Sequence, residues 1–123
     1  MSNVNDMSNM FGFSKFNNDI SGWDVSGVIN MSGMFIHSIF NQDISRWNTV
    51  KLSNTIEMFK KSKFNQDISR WNVSNIKYMS CMFEESAFNK DISNWVFNDL
   101  FAYDNVFKKC NIPEDYKPKN FRK

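Results

Sequence analysis

A stretch of eight residues, FNQDISRW, occupies positions 40–47 and returns letter for letter at 64–71. Close variants stand at 16–23 (FNNDISGW) and 88–95 (FNKDISNW). Phe16, Phe40, Phe64 and Phe88 are 24 residues apart, as are Trp23, Trp47, Trp71 and Trp95. A strict period of this size restricts the fold to a stack of like units. One such unit cannot bury its apolar face alone, and its neighbours must cover it. An ordinary chain of this length builds one rounded core; the period predicts an elongated one.

The cycle is entered partway round, in VNDMSNMFGFSKFNNDISGW. Full turns follow at 24–47, 48–71 and 72–95, and a fifth begins at Leu100, keeps Phe107 in register and decays. The reading is a repeat solenoid over 1–110 and a cap with a frayed tail over 111–123, where two prolines and many charges end the pattern. An uncapped apolar end at the first turn predicts that this turn frays or stacks on further chain.

The apolar columns are regular. One holds Val4, Val28, Leu52, Ile76 and Leu100. Three residues on come Met7, Met31, Thr55 and Met79; three further come Met10, Met34, Met58 and Met82, each followed by Phe. Nine of the 13 Phe, seven of the eight Met and all four Trp sit in these columns or in those of Phe16, Ile20, Trp23 and Val25. A cofactor box would use such residues once, whereas a stacked core uses them every turn. Thr55, alone among methionines, is expected to pack loosely.

Trp and Val two apart suggest a short strand near 23–26, 47–50, 71–74 and 95–98. The V-x-x-M-x-x-M-F spacing suggests helical turns near 5–12, 29–36, 53–60 and 77–85. The predicted fold class is therefore an α/β repeat solenoid, a leucine-rich-repeat-like right-handed coil with one short parallel strand and one short helix per 24-residue turn.

Polar residues recur too. Asn17, Asn41, Asn65 and Asn89 form a column, Asp19, Asp43, Asp67 and Asp91 another, and Ser21, Ser45, Ser69 and Ser93 a third. A calcium ladder needs six to eight oxygen ligands, and one Asp per turn does not obviously supply them. Side chains that satisfy the backbone at a repeated bend are the simpler reading.

The formal net charge is +2, but residues 1–106 carry nine basic and eleven acidic groups while 107–123 carry six and two. Signs alternate between turns, which argues against a continuous nucleic-acid track. The two cysteines, Cys81 and Cys110, form no CxxC and are read as free thiols. No leader, lipid-anchor cysteine or membrane-length apolar run is visible, so the chain is expected to be soluble. His37, the only histidine, has no catalytic or metal partner in sequence. No nucleophile–base pair, phosphate loop or ligand cluster is found. The chain is therefore expected to be no enzyme and to hold no cofactor or metal.

The turns FNQDISRWNVSNIKYMSCMFEESAFNKDIS and FNNDISGWDVSGVINMSGMFIHSIFNQDIS resemble the BspA-like leucine-rich-repeat proteins, above all the short-repeat subgroup of mycoplasma surface lipoproteins. The resemblance covers residues 4–107 and rests on FNxDISxWxVSxVxxMxxMF. It implies a leucine-rich-repeat-type solenoid and a cell-surface or extracellular adhesion role, and lends no catalytic motif. The missing export and lipid-anchor segments leave an intracellular protein, or a fragment of a longer one, open as alternatives.

In a solenoid, the columns that vary carry the individuality. One reads Gly22, Arg46, Arg70, Asn94; another reads Asn18, Gln42, Gln66, Lys90. Lys60, Lys61 and Lys63 make a basic spot, and Phe13 and Ile36 a small apolar one. Arg46 and Arg70, expected beside exposed Trp edges, join Gln42, Gln66, Lys60 and Lys61 as candidate contacts. The expected partner is a protein or a glycan. The alternative is a structural spacer or assembly subunit that associates end to end.

Overall fold

The computed structural model describes residues 4–123. The chain winds as a stack of turns joined by parallel bridges at a single column, Asp6–Asn30–Asn54–Tyr78–Ala102. Regular secondary structure among the described residues is confined to two 3₁₀ turns, Glu114–Tyr116 and Lys119–Phe121. The expected strand and helix of each turn are both absent there.

The helix expectation fails for a definite reason. The N–H groups of Met7, Asn9, Phe11 and Phe13 do not bond within the turn; they donate to the carbonyls of Asn30, Ser32, Met34 and Ile36 in the next turn, at 2.8–2.9 Å. Each later junction repeats this, down to Met79, Cys81, Phe83 and Glu85 donating to Ala102, Asp104, Val106 and Lys108. The intervening N–H groups close short turns, as in Gly12 to the Asn9 carbonyl at 3.2 Å. Aiming alternate amides along the stack requires left-handed residues: Asn9, Gly33, Glu57, Cys81 and Asn105 in one column, and Phe13, His37, Lys61, Glu85 and Lys109 in the other. Such turns bury positions i, i+3 and i+4 as a helix does, so the apolar period could not separate the two.

The strand expectation fails because side chains replace backbone pairing. Each Trp N–H closes a turn on the preceding Ile, as from Trp47 to the Ile44 carbonyl at 3.2 Å. The indole Nε1–H groups of Trp47, Trp71 and Trp95 then donate to the carbonyls of Ile20, Ile44 and Ile68, one turn back. Val25, Thr49 and Val73 are buried beside them.

The core is a set of stacked aromatic rows. Within a turn, Phe35 and Phe40 lie 4.2 Å apart, Phe59 and Phe64 4.4 Å, and Phe83 and Phe88 4.5 Å. Between turns, Phe40, Phe64 and Phe88 follow at 6.2 and 6.3 Å with nearly parallel planes. Thr55, expected to pack loosely, is fully buried; its Oγ1–H donates to the Tyr78 carbonyl at 3.5 Å.

The two ends differ. Against the expected fraying of the first turn, its N–H groups at Met7, Asn9, Phe11 and Phe13 are tied to the second turn. Its own carbonyls at Asp6, Ser8, Met10 and Gly12 find no partner among the described residues, and Met10 is 41% exposed where Met34, Met58 and Met82 are at 0%. At the other end, residues 112–121 fold over the last turn. The Tyr116 carbonyl accepts the Ile92 N–H, and Phe121 sets its edge against Phe97, Tyr103 and Phe107. Lys117 is largely buried, with Nζ 5.5 Å over the Phe107 ring and paired with Glu114. The segment expected to fray is tied down: the Lys123 N–H donates to Glu114 Oε1 at 2.9 Å, and Arg122 Nε–H to the Lys117 carbonyl at 3.1 Å.

Candidate functional site

The FNxDIS bend is built by three polar ladders. Asn17, Asn41 and Asn65 each accept, at Oδ1, the N–H of the next asparagine in the column, at 2.8–2.9 Å. Asp19, Asp43, Asp67 and Asp91 each accept, at Oδ1, the N–H of the serine two residues on, all at 2.9 Å. A third ladder escaped sequence reasoning. Ser14, Ser38, Ser62 and Ser86 accept at Oγ the N–H of the following Phe, at 3.0–3.3 Å. Its signal was present in the same spacing of 24.

These bonds tune Asp19, Asp43 and Asp91. The Ser21 N–H and hydroxyl hold Asp19 below the usual carboxylate range, and Ser45 does the same for Asp43 and Ser93 for Asp91. A carboxylate with a lowered folded pKa binds its proton more weakly than in the unfolded chain. Its contribution to stability is complete above the unfolded value of about 4 and fades as pH falls through the folded value. Thermal unfolding of the protein is therefore expected to move to lower temperature below about pH 4. Changing Asp19, Asp43 and Asp91 together to Asn should flatten that acid limb. An unchanged limb would remove these groups from the account.

The sequence-selected contacts fall into different places. Gln42 is not free for a partner: its amide donates to the carbonyl and to Oδ1 of Asn17, at 3.0 and 3.2 Å. Gln66 does the same to Asn41, at 3.1 and 3.2 Å. Both extend the asparagine ladder across the junction. Arg46 and Arg70 are exposed and make no ion pair or hydrogen bond among the described residues. No exposed Trp edge lies beside them, because Trp47 and Trp71 are buried. Arg46 lines a shallow groove of ≈ 330 Å³ with Asp19, Ser21, Gln42 and Asp43. The same bend two turns on forms a groove of ≈ 570 Å³, lined by Gln66, Asp67, Ser69, Lys90, Asp91 and Asn94 among others. Arg70 lines neither groove.

Lys60 and Lys61 lie elsewhere and are partly neutralised. Lys60 Nζ meets Glu57 Oε2 at 3.2 Å, and Lys61 Nζ stands 3.9 Å from Glu85 Oε2. Lys61 belongs instead to a cleft with Phe13, Lys15, His37, Ile39 and Lys63.

The thiols stand apart from these clefts. Burial, with Glu84 beside it, pushes Cys81 up to about 11, so it stays protonated near neutrality. The Cys110 thiol donates to the Phe88 carbonyl at 3.2 Å. Among the described residues, no group of three or more His, Cys, Asp or Glu is placed to hold a metal ion. No helix among them is long and apolar enough to cross a membrane.

Comparison with known proteins gives one positive result: a family model matches residues 5–118, nearly the whole stack together with most of its cap. No curated protein and no solved structure matches the chain.

Proposed function

The chain belongs to the family described as "Mycoplasma protein of unknown function, DUF285", a membership that brings no activity with it, and from the geometry we propose a non-catalytic interaction module that binds a protein or glycan partner at the cell surface. We read the stack as a right-handed coil akin to leucine-rich repeats, in which alternating left-handed turns replace strand and helix. One observation carries the functional reading. The recurring polar side chains of the bend are engaged in satisfying the backbone, while Arg46 and Arg70, from a column that reads Gly22 and Asn94 in the outer turns, project from it without partners among the described residues. Function lives in sites carried by folds, and here the fold frees only the varying columns.

A glycan array probed with wild type and with Arg46→Ala/Arg70→Ala tests this. Both positions are exposed, so the double variant should unfold as wild type does. Loss of the bound glycans in the variant supports the arginine face; undiminished binding removes it. A second reading, end-to-end assembly, has its own support in the carbonyl row of Asp6, Ser8, Met10 and Gly12, which finds no partner among the described residues. Light scattering over a concentration series separates the two, since assembly raises the apparent mass and lateral binding does not.

A further inference from the structure

We propose that the Phe13 and Lys15 columns form a docking strip for an acidic segment of a protein partner that carries apolar side chains. The proposal rests on the module reading above, but uses a different face and names the partner's chemistry.

The strip begins with backbone geometry. Phe13, His37, Lys61, Glu85 and Lys109 all hold φ between 50° and 56°. That conformation favours Gly or Asn, and another residue pays roughly 1–2 kcal/mol for it. The sister column does use them, at Asn9, Gly33 and Asn105. The Phe13 column uses neither, and carries large side chains at its left-handed positions instead.

Two of the apolar groups here are open to solvent. Phe13 is 74% exposed and Ile39 46%. The Phe13 ring meets the His37 ring edge-on, 5.3 Å between centroids. Together they line a cleft of ≈ 340 Å³ whose rim is Lys15, Lys61 and Lys63. Lys15 and Lys63 make no ion pair among the described residues, and Lys61 has only its long contact with Glu85. Lys15 and Lys63 are two turns apart, about 10 Å at the usual spacing of bridged chains. An apolar floor between cations, two of them without an ion pair among the described residues, calls for acidic groups flanking an apolar side chain. The Asp19 column does not serve this role, because its carboxylates belong to the bend.

A short synthetic peptide of glutamates interrupted by leucines, labelled at one end, is titrated with the protein and followed by fluorescence anisotropy. Wild type is expected to bind it, more weakly as salt rises. Lys15→Glu/Lys63→Glu should weaken binding about tenfold or more through like-charge repulsion, and Phe13→Ser about tenfold through the lost apolar anchor. All three residues are exposed, so thermal unfolding should match wild type. Absence of peptide binding, or binding that the strip variants leave within about twofold, overturns the proposal. A heparin fragment bound in place of the peptide overturns it in favour of an anionic glycan. Peptide binding lost in Arg46→Ala/Arg70→Ala and kept in the strip variants overturns the strip alone and leaves the module reading standing.

Discussion

Phe64→Ala is expected to lower the unfolding free energy by about 4 kcal/mol, in the range for large-to-small changes at packed aromatic sites. Phe64 is at 0% exposure, and its ring stacks on three others: Phe40 at 6.2 Å, Phe88 at 6.3 Å and Phe59 at 4.4 Å. Truncation removes the transfer energy of the ring and leaves a void. The void has little chance to close, because amide ladders hold the turns on both sides at fixed spacing. The cost depends on how well a site can collapse, and a stack bonded above and below collapses poorly. Urea denaturation measures the effect, with the exposed Phe13→Ala as a control expected to fall within about 0.5 kcal/mol of wild type. A loss below about 1 kcal/mol at Phe64 would mean that the row is not packed as described.

Truncation after Cys110 is the second large effect. The segment removed contains Ile112, only 6% exposed, and the half-buried Tyr116 and Phe121. Loss of their burial, at roughly 1.5–3 kcal/mol for a full apolar side chain, sums to about 4 kcal/mol. The change also strips the edge contacts of Phe121 from Phe97, Tyr103 and Phe107. An apolar end without its cover favours association as well as unfolding. The truncated chain is expected to melt at lower temperature and to scatter light at concentrations where the full chain does not. Phe121→Ala should show part of the loss without the change in length. Equal melting of the truncated and full chains would show that the last turn needs no cover.

The period and the buried columns were legible in sequence because burial depends on which side a residue faces, and repetition reveals that directly. Met34, Met58 and Met82, the Phe pairs and the Ile column all lie inside. Hydrogen-bond direction was not legible. Apolar residues at i, i+3 and i+4 are shared by an α-helix and by a turn that sends alternate amides to its neighbour. The clue lay in Asn9, Gly33 and Asn105, residue types that tolerate positive φ, standing at one position of the cycle. The candidate site was legible only in part. Column variation separated Arg46 from the core, but Gln42 and Gln66 varied too and proved to be rungs of the asparagine ladder. Two residue types that fill one structural role look like freedom when only the letters are seen. The Lys15–Lys63 strip was half visible as a basic spot and an apolar spot, and only the turn geometry brings the two together.

The amide ladders also quantise the length of the molecule. Every rung between turns joins residues whose separation is set by one turn, as in the 24 between Asn17 and Asn41 or the 27 between Ile20 and Trp47. Excising residues 48–71 would bring Phe88 onto Phe40 and Trp95 onto the Ile44 carbonyl, with every phase preserved. Removing a single residue would put out of phase every rung that spans the cut, while the rungs beyond it keep their spacing. The identical octets at 40–47 and 64–71 mark where such a cut and rejoin would be seamless. In a chain built this way, reach is an adjustable dimension that changes one turn at a time, while the cross-section stays constant.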